Sequence, residues 1–510
     1  MYEPSPEMPM DSFQIVSPSE NQTDFTAGQI IRFTIPRQIG FFDPHNSRLQ
    51  FLVSTEGANY KMAFADSDAG VASLIQMIRV SQNGRVISEI QEYATLQKMV
   101  KSYSTCASMK QRDALYKGLV DTGGSGRTAS SKDFLLGETL AGDGSQGMAT
   151  AQGQKKFQLE LDYVALFELL YAVPMSAIGD LLLEIRLVPR VADGIRVLPS
   201  TSATIPCNAV ATGNTSLTMT PPFSGFSCLG DSPLVRGMSI TFASGTREYE
   251  ITGLSEAQGT GIITAVFVPA LVGGDDGDTS FTITKGADGV AGVAGATKFV
   301  VNRAELLLQV MQPPASYVAD IASQVEAGEF VIDMDSYTTY RSTLIKEVKS
   351  QTVQIPTTQS RAKAFFSVAR KQANPVLAVD GSTDADLSGQ YDSMLNYRSQ
   401  IDGEYYPNQP VPLDQYLGGL HFGQEHIREL KKAFDASGVS CKSIVRAKAN
   451  FVLGRALAKY GSTMDLTGTP INLYVEYNDT TSPAQPRDVV SFVHHMVRLM
   501  VTPDGIEVMS

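Results

Sequence analysis

Hydrophobic side chains recur at every second position on either side of a corner near the start of the chain. The corner carries Pro36, and the alternating positions are Ile31, Phe33, Ile35, Leu49, Phe51 and Val53. A period of two over such short runs is typical of strands with one buried face. The stretch from Gly28 to Thr55 is therefore predicted to form a strand, a corner and a second strand.

A similar arrangement recurs about 300 residues later, between Glu329 and Arg370. Its hydrophobic positions are Phe330, Ile332, Met334, Val353, Ile355 and the run 364–368, with Pro356 at the corner. The two stretches share no letter-by-letter repeat, but they share their order of elements. The recurrence predicts two β domains of one kind in a single chain.

The remaining pattern predicts further strands and four short helices. Asn83-Gly84, between two alternating runs, is the signature of a type I′ hairpin turn. The other predicted strands are 75–80, 85–90, 157–161, 181–188, 299–311, 450–454, 471–478 and a final hairpin over 492–508. The predicted helices are 92–103, 164–172, 315–327 and 424–434, and residues 121–155 are predicted to be a long exposed loop.

The stretch from Pro199 to Lys298 has a different composition from its flanks. Thr, Ser, Gly and Ala dominate it, with eight acidic and four basic residues. Short alternating runs at 216–220, 238–242, 247–252, 262–268 and 280–284 predict a small inserted β module of about five strands. The module ends in glycines at every third position from Gly286 to Gly295, which we interpret as a flexible tether rather than a collagen-like repeat.

Composition places the chain among large β proteins with a weakly charged surface. Its 510 residues exceed the about 250–300 at which one core stops growing, so two or three domains are expected. The 43 glycines and 25 prolines favour an all-β class with many turns. Only 18% of the residues are charged, which suits large protein interfaces.

Charge argues against a nucleic-acid-binding arm at the N-terminus. The net charge is −12, and five acidic residues precede Arg32, the first basic residue. The first ten residues lack the basic start and apolar core of a signal peptide. We therefore expect a soluble protein that is made inside a cell.

The histidines and cysteines form no recognisable site. His45 is expected in a turn, His421 and His426 at the surface, and the adjacent His494 and His495 on opposite faces of a strand, with His495 in the core. The four cysteines, Cys106, Cys207, Cys228 and Cys441, lack CxxC spacing and are predicted to be reduced thiols. A Cys207–Cys228 pair under oxidising conditions stays open.

Other candidate sites also have simpler interpretations. Asp275, Asp276 and Asp278 suit an acidic turn better than a weak calcium site. The basic residues Arg361, Lys363, Arg370 and Lys371 lie in a strand pattern without aromatic platforms, which favours a solvated face or a subunit contact over nucleic acid. GxSxG, GxxxxGK[ST] and a metal-binding HxH are absent. No catalytic, cofactor-binding or metal-ligating residue is therefore assigned, and the chain is predicted not to be an enzyme.

The order of elements resembles the double jelly-roll major capsid proteins of virophages and polinton-like viruses, in the lineage of the adenovirus hexon. In the first half the similarity is carried by IIRFTIP, FFDPHNSRLQFLV, SLIQMIRVSQNGRVISEIQEYATLQKMV and FQLELDYVALFELLYAVPMSAIGDLLLEIRLV. In the second half it is carried by AELLLQVMQPPASYVADI, SQTVQIPTTQSRAKAFFSVAR, IDGEYYPNQP and DVVSFVHHMVRLMVTPDGIEV. It covers residues 28–198 and 299–510, and the module at 199–298 departs from the family core.

The resemblance implies an all-β chain with two consecutive eight-stranded jelly-roll barrels, short helices and the inserted module. The expected division is an extended N-terminal arm at 1–27, a first jelly roll at 28–198 plus 299–313, the module at 199–298, a linker helix at 314–327 and a second jelly roll at 328–510. The arm is expected to link neighbouring copies, and the module and the loop 121–155 to lie on the outer surface.

The function that the resemblance implies is that of a major capsid protein of a DNA virus, without cofactors. Its homotrimers would be pseudo-hexagonal capsomers that tile an icosahedral shell in the virion, assembled inside the host cell. Expected partners are other copies, penton proteins and minor capsid or cement proteins, with no sequence-specific nucleic acid.

Two alternatives belong to other classes of protein. A glycan-binding β-sandwich or viral fibre would be favoured by exposed aromatic residues beside Asp or Asn in the module. A cupin-type metalloprotein would require stoichiometric bound metal.

Overall fold

The structure is a computed structural model of the chain. The residues it describes are 11–56, 62–66, 69–105, 109, 116–117, 155–170, 172–197, 204–220, 239–245, 247–256, 262–285, 298–371, 387, 389–392, 394–413, 423–441, 450–457, 462–478, 483, 486–502 and 505–509.

Eight strands of the first half form two facing antiparallel sheets, which we call the first barrel. In chain order they are β1 (Asp11–Pro18), β2 (Ile30–Ile35), β3 (Phe41–Glu56), β5 (Ile75–Gln82), β6 (Arg85–Gln91), β7 (Lys155–Glu160), β9 (Leu181–Leu187) and β17 (Lys298–Gln312). One sheet has the order β1-β17-β3-β7 and the other β2-β9-β5-β6. Counted along the barrel, these are strands 1-8-3-6 and 2-7-4-5, the order of a jelly roll.

The second barrel repeats this order strand for strand. Its strands are β18 (Phe330–Leu344), β19 (Ser350–Ile355), β20 (Ala362–Lys371), β21 (Met394–Ile401), β22 (Glu404–Pro412), β23 (Leu453–Ala456), β24 (Ile471–Tyr477) and β25 (Arg487–Thr502). They form the sheets β18-β25-β20-β23 and β19-β24-β21-β22, which are again 1-8-3-6 and 2-7-4-5. The predicted fold class, all-β with two consecutive jelly rolls, is confirmed.

The predicted N-terminal arm at 1–27 is wrong for residues 11–18. These residues form β1, which pairs antiparallel with β17 along its whole length, from Asp11 beside Gln312 to Pro18 beside Glu305. The pairing gives the peptide groups of β1 hydrogen-bond partners and places Ile15 against the core. The first barrel therefore begins before residue 28, and residues 1–10 lie outside the described part of the chain.

Shorter elements complete the two barrels. Three small strands are β4 (Met62–Phe64), β8 (Val173–Pro174) and β10 (Ile195–Val197), and β26 (Gly505–Met509) closes the final hairpin with β25. The helices are α1 (Tyr93–Ser104), α2 (Met175–Ile178), α3 (Val191–Gly194), α4 (Ala315–Glu326) and α5 (Gln424–Ala436). The predicted helices near residues 92, 315 and 424 are therefore confirmed.

The predicted helix at 164–172 is wrong. Residues 162–168 form turns, in which Tyr163 and Leu166 have φ values of 70° and 74°. A positive φ interrupts a right-handed helix. The turns bury Val164, Leu166 and Phe167. The apolar residues of this stretch are therefore explained by burial in turns and not by one face of a helix.

The predicted type I′ turn between β5 and β6 is confirmed. Asn83 has a φ of 48° and Gly84 a φ of 80°, the two positive values that this turn requires. The same device joins β21 to β22, where Asp402 and Gly403 have φ values of 51° and 78°. The fourth and fifth strands of both barrels are therefore joined in the same way.

Strand direction assigns every connection to one of two ends of a barrel. Neighbouring strands in each sheet are antiparallel, and short connections such as 36–40 and 83–84 reverse the chain. Connections from an even to an odd strand of the barrel, among them the turn between strands 4 and 5, therefore lie at one end, which we call the turn end. The connections between strands 1 and 2, 3 and 4, 5 and 6, and 7 and 8 lie at the other end, which we call the loop end.

Pairing outside the barrel supports this assignment. β4 belongs to the connection between the third and fourth strands, and β10 to the connection between the seventh and eighth. The two pair antiparallel, with Phe64 beside Ile195. Both connections therefore meet at the loop end.

The inserted module forms a six-stranded antiparallel sheet with its own core. Its strands are β11 (Thr204–Pro206), β12 (Ser216–Met219), β13 (Ser239–Phe242), β14 (Tyr249–Glu256), β15 (Ile263–Val268) and β16 (Ser280–Lys285), in the order β11-β16-β13-β14-β15-β12. All five predicted strands are present, and β11 is an additional one. Its buried side chains form a cluster separate from the one that runs through both barrels.

Candidate assembly surfaces

The two barrels meet along a seam formed by β6 of the first barrel and β18 of the second. Ser88 Oγ lies 2.8 Å from Ser336 Oγ, and the Thr339 hydroxyl donates a 2.8 Å hydrogen bond to the carbonyl oxygen of Gln91. The contacts advance in the same direction along both strands, so β6 and β18 run parallel. Because the fifth and first strands of a jelly roll both run towards the loop end, the two barrels stand side by side with their loop ends together.

An ionic cluster joins the barrels where β6 ends. The Glu92 carboxylate pairs with Arg341 and, at 2.7 Å, with Arg370, both from the second barrel. Arg370 also donates a 3.1 Å hydrogen bond to the Thr95 hydroxyl on α1. Glu92 is buried, so these partners offset the cost of removing its charge from water.

Aromatic rings fill the middle of the seam. Tyr163 meets Tyr337 edge to face at 5.8 Å, and Tyr337 packs on His494 at 4.6 Å. Tyr103 of α1 lies 5.3 Å from Phe434 of α5. Its hydroxyl donates a 2.6 Å hydrogen bond to the carbonyl oxygen of Asn450. The seam therefore combines packed aromatic rings with hydrogen bonds, as the interior of a domain does.

One carboxyl group in this region has a strongly displaced pKa. Burial, together with the nearby Asp335 and Asp162 carboxylates, raises the pKa of Glu168 to about 8. Its Oε1 accepts a 2.8 Å hydrogen bond from the backbone N–H of Tyr163. Burial also lowers the stability of the ionised form, so Glu168 favours the folded chain most when it is protonated.

Three histidines of the second barrel are buried, and the prediction that His426 lies at the surface is wrong. His426 faces inward from α5, where its Nδ1 lies 3.1 Å from the Tyr397 hydroxyl and its ring stacks on Phe451 at 5.1 Å. Burial lowers its pKa to about 3. The physical reason is position on the helix: His426 shares the inward face with Leu430 and Phe434.

His494 and His495 are both buried, although they point to opposite faces of β25. His495 Nε2 lies 2.9 Å from the Thr338 hydroxyl, as expected for a core histidine, and burial lowers its pKa to about 4. Burial, with help from Lys363 and His495, holds the pKa of His494 well below its usual value. On the outward face of this strand His494 packs on Tyr337, whose ring meets Tyr163 of the first barrel, so this face lies in the seam and not in solvent.

Three of the basic residues on or near β20 form ion pairs with carboxylates of the same chain. Lys363 contacts both oxygens of Asp335 at 2.6 and 2.8 Å, and Arg361 lies 3.8 Å from Asp333. Arg370 is the partner of Glu92 described above. Arg361, Lys363 and Arg370 therefore form ion pairs within the chain and do not form the solvated face or subunit contact that the sequence favoured.

The acidic turn of the module is held by donors of the module itself. Tyr249 donates its hydroxyl to Asp275, the N–H of Thr212 donates to Asp276 at 3.1 Å, and Ser244 donates to Asp278. Within the described residues no group of three or more His, Cys, Asp or Glu side chains is placed to hold a metal. Burial and the nearby Asp278 carboxylate raise the pKa of the Cys207 thiol to about 11. Two other cysteines, Cys106 and Cys228, and one histidine, His421, lie outside the described residues.

Three of the strands with exposed side chains are β1, β22 and β15. Gln14, Val16 and Pro18 face outward on β1, and Val16 is 50% exposed. On β22 the exposed run is 408–410, beside Arg398, which is stacked 4.0 Å from the Tyr405 ring and 5.5 Å from the Tyr474 ring. On the module, Val266 and Val268 of β15 are partly exposed. Tyr, Arg and exposed apolar side chains of this kind are enriched in protein interfaces.

None of the helices that the structure describes has the length and apolar character needed to cross a membrane.

The arrangement of two like barrels, joined side by side in one orientation, defines a double jelly roll, and solved structures share it. The chain is similar to the Faustovirus major capsid protein, with a TM-score of 0.54 and 9% identity over 98% of this chain and 92% of that one. It is also similar to a chain of the PBCV-1 virus capsid, with a TM-score of 0.52 and 10% identity over 100% and 98% of the two chains. A third similar structure is that of the Sputnik virophage, with a TM-score of 0.50 and 9% identity over 100% and 90%.

Sequence comparison adds nothing to this result. No family model matches the chain, and no curated protein sequence matches it. At about one identical residue in ten, the likeness to the three structures shows the double jelly-roll fold.

The Glu92 cluster leads to a prediction about the seam. Replacing Glu92 by Gln leaves Arg341 and Arg370 without their shared counter-charge, and we expect a loss of about 1–3 kcal/mol in the free energy of unfolding. Urea denaturation measures it. The matched control is Glu347→Gln, whose partner Lys346 lies 3.8 Å away with both side chains exposed, and there the loss should stay below about 0.5 kcal/mol. Equal losses of unfolding free energy in both variants would contradict a stabilising role for the Glu92 cluster.

The buried His426 leads to a prediction about pH. In the unfolded chain its pKa is near 6.5 and in the folded chain about 3, so stability present above pH 6.5 is lost as the pH falls towards 3. Between pH 6.5 and pH 5 the loss is about 2 kcal/mol from this group alone. His426→Asn keeps a polar atom near the Tyr397 hydroxyl and removes the titration. The variant should therefore show an acid destabilisation smaller than that of the wild type by about this amount, and parallel pH profiles would refute the assignment.

Proposed function

We propose that this chain is the major capsid protein of a DNA virus. We further propose that its homotrimers are pseudo-hexagonal capsomers that tile an icosahedral shell. The observation that supports this most directly is the seam: two barrels of one topology stand side by side with their loop ends together. Three such chains around a threefold axis place six similar barrels in a ring.

Closed oligomers of this kind bury their flanks against one another. The chain offers exposed strands on both barrels, β1 on the first and β22 on the second, with Val16 and Tyr405 among their side chains. The low fraction of charged residues suits surfaces that become buried on assembly. Burial of surface between copies, rather than chemistry, is then the function of the chain in the virion.

We assign the loop end to the outside of the shell. The module is inserted between β9 and β17, and the loop predicted at 121–155 falls between α1 and β7, so both leave the first barrel at its loop end. Inserts are tolerated where they do not interrupt strand pairing. Penton proteins, minor capsid proteins and neighbouring capsomers are the expected partners.

The glycan-binding alternative gains no support from the described part of the module. Its four described aromatic rings, those of Phe242, Tyr249, Phe267 and Phe281, lie in the core and pack on one another. They are therefore not available as a stacking surface for sugars.

Light scattering and negative-stain imaging of the purified protein test the proposal together. The expected species has three times the 55.0 kDa mass of the chain and a six-lobed outline, with shells at higher concentration. A stable monomer that binds glycans would contradict the proposal.

The separate core of the module leads to a prediction about its removal. A chain in which a short Gly/Ser linker replaces residues 199–297 should still form soluble trimers, because the barrel core does not include the module core. A full-length Phe242→Asp variant, which disrupts the module core alone, should also form trimers. Phe33→Asp, at a fully buried site of the first barrel, should abolish them. Loss of trimers in the first two variants would contradict the placement of the module outside the contact.

A further inference from the structure

The internal repeat specifies how one copy meets the next. Within the chain, the fifth strand of the first barrel, β6, lies along the first strand of the second barrel, β18. In a ring of six similar barrels, every contact from one barrel to its neighbour has a counterpart of this kind. We propose that β22 of one copy, the fifth strand of its second barrel, packs against β1 of the next copy, the first strand of its first barrel. This inference rests on the proposed trimer.

The counterpart strands correspond in position and in surroundings. β22 follows a two-residue turn with two positive φ values, as β6 does. β1 begins opposite the end of the eighth strand, with Asp11 beside Gln312, as β18 begins with Phe330 beside Val501. The two barrels therefore present equivalent strands at the proposed contact.

Burial differs between the two pairs as the proposal requires. On β6, Ser88 is buried beside Ser336 of the second barrel, although Val86 near the start of the strand is 45% exposed. On β22, residues 408–410 are exposed. Val16 lies five residues after the start of β1 and is 50% exposed, whereas the Asp335 side chain, five residues after the start of β18, is 31% exposed and pairs with Lys363. Among the described residues, β1 and β22 therefore keep exposed side chains on the strands that the repeat assigns to another copy.

The chemistry of β22 suits side-chain packing against a second copy. Its register with β21 shifts from Ser399–Tyr406 to Tyr397–Val411, so residues 407–410 project from the sheet. Pro407, Pro410 and Pro412 lack backbone donors, which disfavours a partner that adds a strand to this edge. The seam within the chain has the same character, because β6 and β18 meet through Ser88 and Ser336 rather than through a backbone ladder.

The proposed contact is heterologous, since β22 and β1 are different surfaces. Each copy therefore has one donor strand and one acceptor strand, and blocking either one on every copy stops ring closure. A chain blocked at β1 keeps its β22 and can still bind a chain that is blocked at β22. Such a mixture can form dimers but cannot close a ring.

The test uses the full chain with Val16→Asp and, separately, Gln409→Arg. Matched controls are Val268→Asp on the module, where the valine is 46% exposed, and Gln354→Arg on β19, an exposed site in the sheet of β22. Native mass spectrometry measures oligomers, and circular dichroism verifies that each variant is folded. We expect each blocked variant to raise the concentration needed for trimers at least tenfold, while both controls match the wild type.

Mixing the two blocked variants gives the deciding result. A one-to-one mixture should form dimers that contain one chain of each variant, although neither variant associates by itself. The inference is overturned if either blocked variant forms trimers like the wild type, or if the mixture stays monomeric while the wild type forms trimers. A monomeric wild type would instead overturn the proposed function, and the inference with it.

Discussion

The parallel contact between β6 and β18 is the constraint on which the rest of the structure depends. Two jelly rolls in one chain could meet in many orientations, but the Ser88–Ser336 and Thr339–Gln91 contacts fix one of them. Both barrels then have their loop ends on one side of the chain and their turn ends on the other. The buried Glu92 cluster and the rings around Tyr337 hold this arrangement by charge pairing and by packing. A chain built in this way has the first strand of one barrel, β1, and the fifth strand of the other, β22, on different flanks, as the proposed ring of barrels requires.

The same constraint separates the parts of the chain that can vary from the parts that cannot. The module has its own core and joins the first barrel only through the connection between its seventh and eighth strands. The turn end, by contrast, carries tight turns such as Asn83-Gly84 and Asp402-Gly403. Variation at the loop end can therefore change the surface at that end without changing the barrels or their contact.

Local patterning was sufficient for most of the fold. Alternation at Ile31, Phe33 and Ile35 located a strand because one face of each sheet is buried, and Asn83-Gly84 identified a hairpin because its turn needs two positive φ values. β1 was missed because the prolines and acidic residues around it resemble a disordered arm, and its pairing partner β17 lies almost 300 residues away. His426 could have been assigned to the core, because it stands four and eight residues before Leu430 and Phe434 on one helix face. The buried His494 was beyond local reasoning, since Tyr337, on which it packs, comes from a distant strand. The contact that we propose between β22 and β1 could not be predicted from the sequence, because it follows only from a strand-by-strand comparison of the two barrels.

A disulfide across the seam tests the central claim most directly. Ser88 Oγ and Ser336 Oγ lie 2.8 Å apart, so Ser88→Cys with Ser336→Cys should place two sulfur atoms close enough for a bond of about 2.05 Å. Under mild oxidation the account predicts that peptide mapping finds residues 88 and 336 linked within one chain in most molecules, with the variant as stable as the wild type. Two free thiols, each alkylated only after unfolding, would contradict the side-by-side arrangement of the barrels.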